Sequence, residues 1–339
     1  MSPSRIVEHP RLGPHDQEIT EEMAIAALPR RAAGAHKWGV GGVVIVAGAP
    51  GFVGAAALCA MAAGRAGAGI VSVAVPHGLG ETITTLVPEA VIILLPTGDS
   101  PAIARRACDA IEPWLAKSTA LVVGPGLGQD ETANALLGSL FGTGASRPAL
   151  GFAGSARAGS ESTPIGLLEQ TDKPVVIDAD GLNWLAKQPR WWERLPAGRA
   201  VLTPHVGEMA RLLDTGADQV LADPLSIVRE AAARWNQTIL LKGGFTAVSD
   251  GARTLVAADA PPSLATAGSG DVFAGTIGAF LAQGVAPVDA AALAIHVGAL
   301  AARRVETRTG VLGLIASDLP LAIAEELARL ERAAGVANG

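Results

Sequence analysis

The segment Ala265-Thr266-Ala267-Gly268-Ser269-Gly270-Asp271 places a carboxylate directly after a glycine-rich turn and directly before the apolar run Val272 to Ala282. Glycines let successive backbone N–H groups converge, and the positive end of a helix adds to them. The turn Gly268, Ser269, Gly270 is therefore an expected anion hole for phosphate oxygens. Asp271 would then stand in the first helical turn beside a transferring phosphoryl group and accept the proton of an attacking hydroxyl. An alcohol is too weak an acid to be ionised beforehand by a carboxylate. The proton moves as transfer proceeds, and charge stabilisation by the turn's amides matters more than basicity. Taken alone, the same residues also read as a helix cap and a chain turn.

Other polar residues follow apolar runs in the same way. Thr238-Ile239-Leu240-Leu241 ends in Lys242-Gly243-Gly244, a contact for nucleotide phosphates and ribose or an ordinary turn with a solvated lysine. Leu202-Thr203-Pro204 leads into His205 and Glu208, and Glu208 could bind magnesium or its waters through oxygen, or cap a helix. Val175-Val176-Ile177 ends in Asp178-Ala179-Asp180, where Asp180 could cap a helix from Leu182 to Lys187. Gly124-Pro125-Gly126-Leu127-Gly128 and Gly48 to Gly54 give a ligand close access to backbone, or simply turn the chain.

Such residues act together only if a scaffold gathers them. The candidate strands are Val43 to Ala47, Ile70 to Val75, Ala120 to Val123, Val175 to Ile177, Ala200 to Leu202 and Thr238 to Leu241. They alternate with helical stretches, which predicts an α/β fold, a three-layer α/β/α sandwich with a mostly parallel central sheet. In such sheets ligands collect at the carboxyl ends of the strands. Phe245 to Ser249 and Arg253 to Val256, joined by Asp250-Gly251, read as a hairpin and make part of the sheet antiparallel. A helix from Ala55 to Ala63 and a helical last third from Asp271 onward complete the layers. Residues 1–35 read as an N-terminal arm with one short helix, Thr20 to Leu28, capped by Thr20. Residues 36–335 form the main domain, and Phe141 to Pro164, rich in Gly, Ala and Ser, reads as a flexible surface insertion.

Composition narrows the function. The chain has 339 residues, 49% hydrophobic, and a formal net charge of -6, so it lacks the basic patch that nucleic acid requires. Its two cysteines, Cys59 and Cys108, are too few for a disulfide framework or a cysteine zinc site, which fits a cytoplasmic setting. Trp38 to Gly64 carries no charge and is long enough to span a bilayer. Its β-branched run, glycine- and proline-rich break and alanine-rich stretch read instead as strand, loop and helix, so no membrane partner is expected. The N-terminus, with Glu8, His9 and Asp16 and no apolar core, does not read as a signal peptide.

The whole set of motifs, in order, resembles the nucleotide-dependent NAD(P)H-hydrate dehydratases of the ribokinase-like superfamily. The resemblance runs from His36-Lys37 through Gly54-Ala55-Ala56, Arg65-Ala66-Gly67-Ala68-Gly69, Gly124 to Gly128, Asp178 to Leu182, Thr203-Pro204-His205 with Gly207-Glu208, and Leu241-Lys242-Gly243 to Ala267 through Asp271. It implies repair of (6S)-NADHX and (6S)-NADPHX, the ring-hydrated reduced cofactors. Phosphorylation of the ring hydroxyl makes a leaving group, and elimination restores NAD(P)H. It further implies ADP, or ATP, as co-substrate, Mg2+ as metal, a homo-oligomer, and a separate NAD(P)HX epimerase as a partner. By the same resemblance Lys242, Gly243, Gly244, Phe245, Thr246 and Gly270 contact the nucleotide, and Ala55, Gly126, His205 and Asp271 the hydrated cofactor. Trp38 departs from the family pattern, which has Gly after His36-Lys37, and the insertion is longer than usual. A vitamin-alcohol kinase of the same fold, which would release the phosphate ester, and a non-catalytic nucleotide-sensing module are the competing readings. The Gly54 to Gly69 segment and His205 separate the dehydratases from the first, and an intact Asp271 weighs against the second.

Overall fold

The computed structural model describes residues 12–14, 16–142 and 166–335. Its strands are β1 (Asp16–Glu18), β2 (Gly42–Val46), β3 (Ile70–Pro76), β4 (Val91–Leu95), β5 (Ala120–Val123), β6 (Val175–Ile177), β7 (Ala200–Leu202), β8 (Thr238–Leu241), β9 (Ala247–Ser249) and β10 (Thr254–Val256). They form one ten-stranded sheet in the order β1-β10-β9-β8-β7-β6-β5-β2-β3-β4. Only β9 runs against its neighbours. All six strands expected from sequence are present, and the hairpin is the β9–β10 pair. Its turn is held by Asp250 Oδ1, which accepts from the amides of Ala252 (2.9 Å) and Arg253 (2.7 Å).

Runs such as Gly42-Val43-Val44-Ile45-Val46 are buried along their whole length, as strands covered on both faces must be. One helical layer holds Val53–Arg65, Ser269–Ala282, Pro287–Gly313 and Leu319–Ala333; the other holds Pro101–Lys117, Glu131–Phe141, Val206–Leu213 and Pro224–Trp235. The expected three-layer sandwich is thus the observed one. In the first layer, helix Ser269–Ala282 lies against both helix Val53–Arg65 and the sheet, because glycines face the contacts. A Cβ on Gly275 would sit 2.0 Å from the carbonyl oxygen of Cys59, and one on Gly278 would sit 2.4 Å from Val122 Cγ2. That seat sets the height of Asp271 above the sheet edge.

Two strands escaped the sequence reading. Val91–Leu95 is a short apolar run between prolines, without the alternation that separates strand from helix. Asp16-Gln17-Glu18 is a polar edge strand that pairs in parallel with β10, and its composition gives no apolar signal at all. The helix after it spans Glu21–Ala26, shorter than expected, and Thr20 Oγ1 caps it by accepting from Met23 N. The uncharged run from Trp38 to Gly64 is a helical turn, β2, a loop and most of helix Val53–Arg65. Among the described residues no helix is long and apolar enough to cross a membrane. Phe141 ends helix Glu131–Phe141 and stacks on Trp184 with ring centres 5.3 Å apart; beyond Gly142, the insertion expected at 141–164 lies outside the described residues.

Candidate active site

The parallel strands point their carboxyl ends at one edge, and successive loops there deliver the polar groups. After β6, Asp178 is buried, and its Oδ1 accepts from Thr203 Oγ1 (2.6 Å) and from Lys242 Nζ (2.7 Å), which arrives from the end of β8. Burial pulls the Lys242 ammonium toward the neutral form, but Asp178, Glu208 and Asp271 outweigh it, and its pKa is raised. Lys242 is therefore a fixed cation at the edge, with 24% of its side chain exposed.

Between the carboxylates, Ala179 adopts φ 47°, ψ −114°, a region that costs an L-residue free energy and persists only where its surroundings impose it. Gly124 presses on this turn; a Cβ there would fall 1.9 Å from the carbonyl oxygen of Asp178. The turn sends Asp180 the other way. Sequence offered Asp180 as a cap for a helix from Leu182, but the helix is Asp180–Leu185 with Ala179 in the cap position. The Asp180 carboxylate instead binds the neighbouring loop, accepting from Gly128 N (2.8 Å) and Gln129 Nε2 (3.2 Å).

Helix Ser269–Ala282 starts from Gly268 in the left-handed conformation, with φ 91°, and has no side-chain cap. Its first N–H groups have no partner within the helix. Ser269 turns its hydroxyl back to the carbonyl oxygens of Leu264 (2.8 Å) and Thr266 (3.0 Å), and its amide also donates to Thr266 O (3.4 Å), so both groups of Ser269 are tied into the turn. Gly270 faces the fixed cation, since a Cβ on it would lie 3.3 Å from Lys242 Nζ. The Asp271 carboxylate has no hydrogen bond or ion pair to another described residue. Burial, then Asp178, push its pKa up to about 6, against the pull of Lys242.

His205 and Glu208 form a capping box on helix Val206–Leu213. His205 Nδ1 accepts from the amides of Gly207 and Glu208, and Glu208 Oε2 accepts from His205 N at 2.9 Å. Glu208 Oε1 lies 3.5 Å from His205 Nε2. Both oxygens of this buried carboxylate thus face His205, and burial pushes its pKa up to about 7. The capping role open in the sequence is the one the geometry realises. Among the described residues no group of three or more His, Cys, Asp or Glu side chains forms a metal cage.

A cavity of about 550 Å³ opens beside this edge. Lys242, Gly243, Gly244, Thr246, Ser269, Gly270 and His205 line it, so most of the residues assigned to a nucleotide from sequence are brought together. Phe245 is not among them; the residue is 2% exposed and packed in the core. Sequence reasoning missed the apolar wall of Pro261, Pro262, Leu264, Phe273, Ile295 and Ala299. Phe273 and the residues on helix Pro287–Gly313 look like core positions in a one-dimensional pattern, and Ile295 and Ala299 are indeed buried; only the packing of the two helices shows that they border the cavity. Ala55 and Gly126 meet on the other side of the anion turn: a Cβ on Gly126 would lie 2.7 Å from Ala55 Cβ. The turn joins the two halves, for a Cβ on Gly268 would contact Leu58 Cδ1 at 2.6 Å, one helical turn beyond Ala55.

The chain has relatives in one family of enzymes. A family model described as NAD(P)H-hydrate dehydratase matches residues 43–147 and 154–325. An ADP-dependent (S)-NAD(P)H-hydrate dehydratase of Neisseria meningitidis is 37% identical over 298 residues, covering 85% of this chain and 86% of that protein. A bifunctional NAD(P)H-hydrate repair enzyme of Salinibacter ruber is 37% identical over 314 residues, covering 89% of this chain. This chain spans only 51% of that bifunctional relative's length. Among solved structures, the ADP/ATP-dependent NAD(P)H-hydrate dehydratase of Bacillus subtilis, co-crystallised with ATP/Mg2+, superposes with a TM-score of 0.69 at 22% identity, covering 94% of this chain and 98% of that one. That likeness shows a shared fold, which is ribokinase-like as the resemblance implied.

Proposed function

We propose an activity from one premise: this chain belongs to the NAD(P)H-hydrate dehydratase family. It removes water from (6S)-NADHX and (6S)-NADPHX, with ADP as phosphoryl donor and AMP and phosphate as products. The observation that carries the reading is the position of the anion turn. On one side Gly270 faces Lys242 and the 550 Å³ cavity; on the other Gly268 meets the helix that begins near Ala55 and Gly126. A donor and an acceptor can therefore approach Asp271 from opposite sides.

In this reading the adenine lies against Pro261, Phe273 and Ile295, and the phosphates run over Gly243 and Gly244 toward Lys242. The amides at the start of helix Ser269–Ala282 hold the transferring phosphoryl group. The ring hydroxyl attacks and gives its proton to Asp271, which has no competing hydrogen bond among the described residues and has a pKa of about 6, low enough to be ionised at neutral pH. The ester formed then loses phosphate, the neighbouring ring carbon releases a proton, and the ring double bond of NAD(P)H returns. His205, exposed at the cavity rim, and the Ala55–Gly126 contact position the acceptor.

Magnesium suits the hard oxygen donors of this edge, where one or two carboxylates and the substrate phosphates supply its ligands. Asp178, whose second oxygen faces Gly270, is the carboxylate beside the phosphoryl path that would hold it, Asp271 being kept for the proton; Glu208, closed on His205, reaches a metal only through water. Magnesium would neutralise phosphate charge. The compartment we propose is the cytoplasm, the assembly a homo-oligomer. We also propose an NAD(P)HX epimerase as a partner; relatives such as the bifunctional NAD(P)H-hydrate repair enzyme of Salinibacter ruber support that reading.

The test mixes purified protein, the hydrate of NADH, magnesium and either ADP or ATP, and follows NADH absorbance beside an Asp271→Asn control. Nucleotide-dependent NADH that disappears in the control is expected and names the donor. No NADH with either nucleotide overturns the dehydratase and leaves the vitamin-alcohol kinase.

A further inference from the structure

A second cavity, of about 200 Å³, lies along the same carboxyl edge of the sheet, away from the nucleotide side. Its floor is Pro50 after β2, Pro76 at the end of β3 and Leu95 at the end of β4; Leu127 and Asp130 from the loop after β5 close it. Whole ligands occupy pockets of roughly 300–1,000 Å³, so this one suits a fragment such as a single nucleoside. The Gly124–Gln129 loop is a wall common to both acceptor features: Gly126 packs on Ala55, and Leu127 lines the cavity. Gly48, also in the lining, is tied to that loop through its amide, which donates to Pro125 O at 2.8 Å.

The spacing matches a long acceptor. In the strand order, β6 with Asp178 is three steps from β3, about 14 Å at ~4.8 Å per strand. Two riboses and a diphosphate must be accommodated between the hydrated ring and the adenine of a dinucleotide. We infer that this cavity holds the adenosine half of the hydrated cofactor and selects its 2′-hydroxyl over a 2′-phosphate, so that NADHX is preferred to NADPHX. The inference rests on the function proposed above.

Charge carries the selection. Asp130 caps helix Glu131–Phe141 with Oδ1, which accepts from Ala133 N at 2.9 Å. Its other oxygen has no partner among the described residues and is available to a ribose hydroxyl. Carboxylates take the 2′-hydroxyl of a dinucleotide, whereas a 2′-phosphate calls for arginine. No Lys or Arg lines the cavity among the described residues. The start of a helix would attract phosphate, but Asp130 and Glu131 stand at one such start and Asp99 beside the other, at Pro101.

Three acceptors test this, with ADP and magnesium: the hydrates of NADH, of NADPH and of reduced nicotinamide mononucleotide, which lacks the adenosine. The wild type is expected to favour the NADH hydrate over the NADPH hydrate by about tenfold in kcat/KM, and the mononucleotide hydrate to be much poorer. Asp130→Asn keeps the cap, since Asn caps as well as Asp, and should move the ratio toward one. Thr97→Trp, at the exposed rim, should lower kcat/KM for both dinucleotides about tenfold and leave the mononucleotide unchanged. A mononucleotide hydrate as good as the dinucleotide, a ratio unmoved in Asp130→Asn, or Thr97→Trp acting equally on all three overturns the inference while the dehydratase stands. Failure to turn over any hydrate overturns both.

Discussion

The end of β6 and the start of helix Ser269–Ala282 bring two carboxylates to the same edge and hold them in opposite ways. Asp178 is sealed: a threonine hydroxyl and an ammonium donate to one of its oxygens, and 2% of its side chain meets solvent. Asp271 is loose, with no hydrogen bond to a described residue and a pKa lifted to about 6 by burial and by Asp178. A bonded, neutralised carboxylate orders its surroundings. An unbonded one keeps its lone pairs for a substrate. The strongest way to break this division is Asp271→Asn, which should lower turnover about 10²- to 10⁴-fold while leaving ADP affinity unchanged in a calorimetric titration. The pH profile sharpens it: kcat/KM should fall as pH drops through about 6. Stability runs the other way. A carboxyl whose folded pKa, about 6, exceeds its ordinary value of 3.8 contributes full stability below the lower value and loses it as pH rises through the higher. Asp271→Asn should therefore melt higher than wild type at pH 7 and lose that advantage near pH 4.

At Asp178 the effect moves from turnover to the fold. Asp178→Asn leaves Lys242 without its counter-charge, and stranding one member of a buried pair costs about 3 kcal/mol or more; the partial exposure of Lys242 favours the lower end. Denaturant unfolding should show that loss, together with a raised KM for ADP as Lys242 swings free. Asp178→Asn with unchanged stability and an unchanged KM would make the pair a surface ornament.

The strand ends were legible because buried parallel strands write themselves as short β-branched runs that stop at a polar residue, as at Ile177-Asp178 and Leu241-Lys242. The glycine turn before Asp271 was legible only in company, since Gly-Ser-Gly-Asp before an apolar run reads equally as a helix cap until the other strand-end motifs stand beside it. What stayed hidden depends on three-dimensional pairing. The partner of Lys242 lies 64 residues away, and nothing local distinguishes a lysine that meets phosphate from one tied to Asp178. Phe245 carried a nucleotide assignment by its place in a motif, but alternation in the strand region turns its ring into the core. The polar strand Asp16–Glu18 and the apolar cavity wall of Phe273 and Ile295 each look like something else until neighbours are in place.

Packing beneath the loose carboxylate gives a further test. Gly275→Ala would push a methyl group against the backbone of Cys59, with its Cβ 2.0 Å from that carbonyl oxygen before relaxation. Backbone cannot rotate away as a side chain can, so the helix must shift, at about 1–3 kcal/mol for overpacking of this kind. Because the same helix carries Asp271, kcat should fall more than ADP affinity. A variant that lost stability yet kept full turnover would separate the seat of the helix from the placement of its carboxylate.

The smallest expected effect concerns the residue that holds the sealed side in its shape. Ala179, at φ 47°, ψ −114°, turns Asp178 toward Lys242 and Asp180 toward Gly128. The strain persists because both carboxylates are tied down on either side of it. Glycine accepts positive φ without a Cβ penalty but has more freedom to lose on folding. Ala179→Gly should therefore stabilise the protein by about 1 kcal/mol, the strain relieved less the added entropy of the unfolded chain. If the ties alone set the geometry, turnover is unchanged and the melting temperature rises. If the methyl group itself helps to hold the two carboxylates apart, the same variant gains stability and loses turnover, and the division between sealed and loose carboxylates rests on backbone strain as well as on hydrogen bonds.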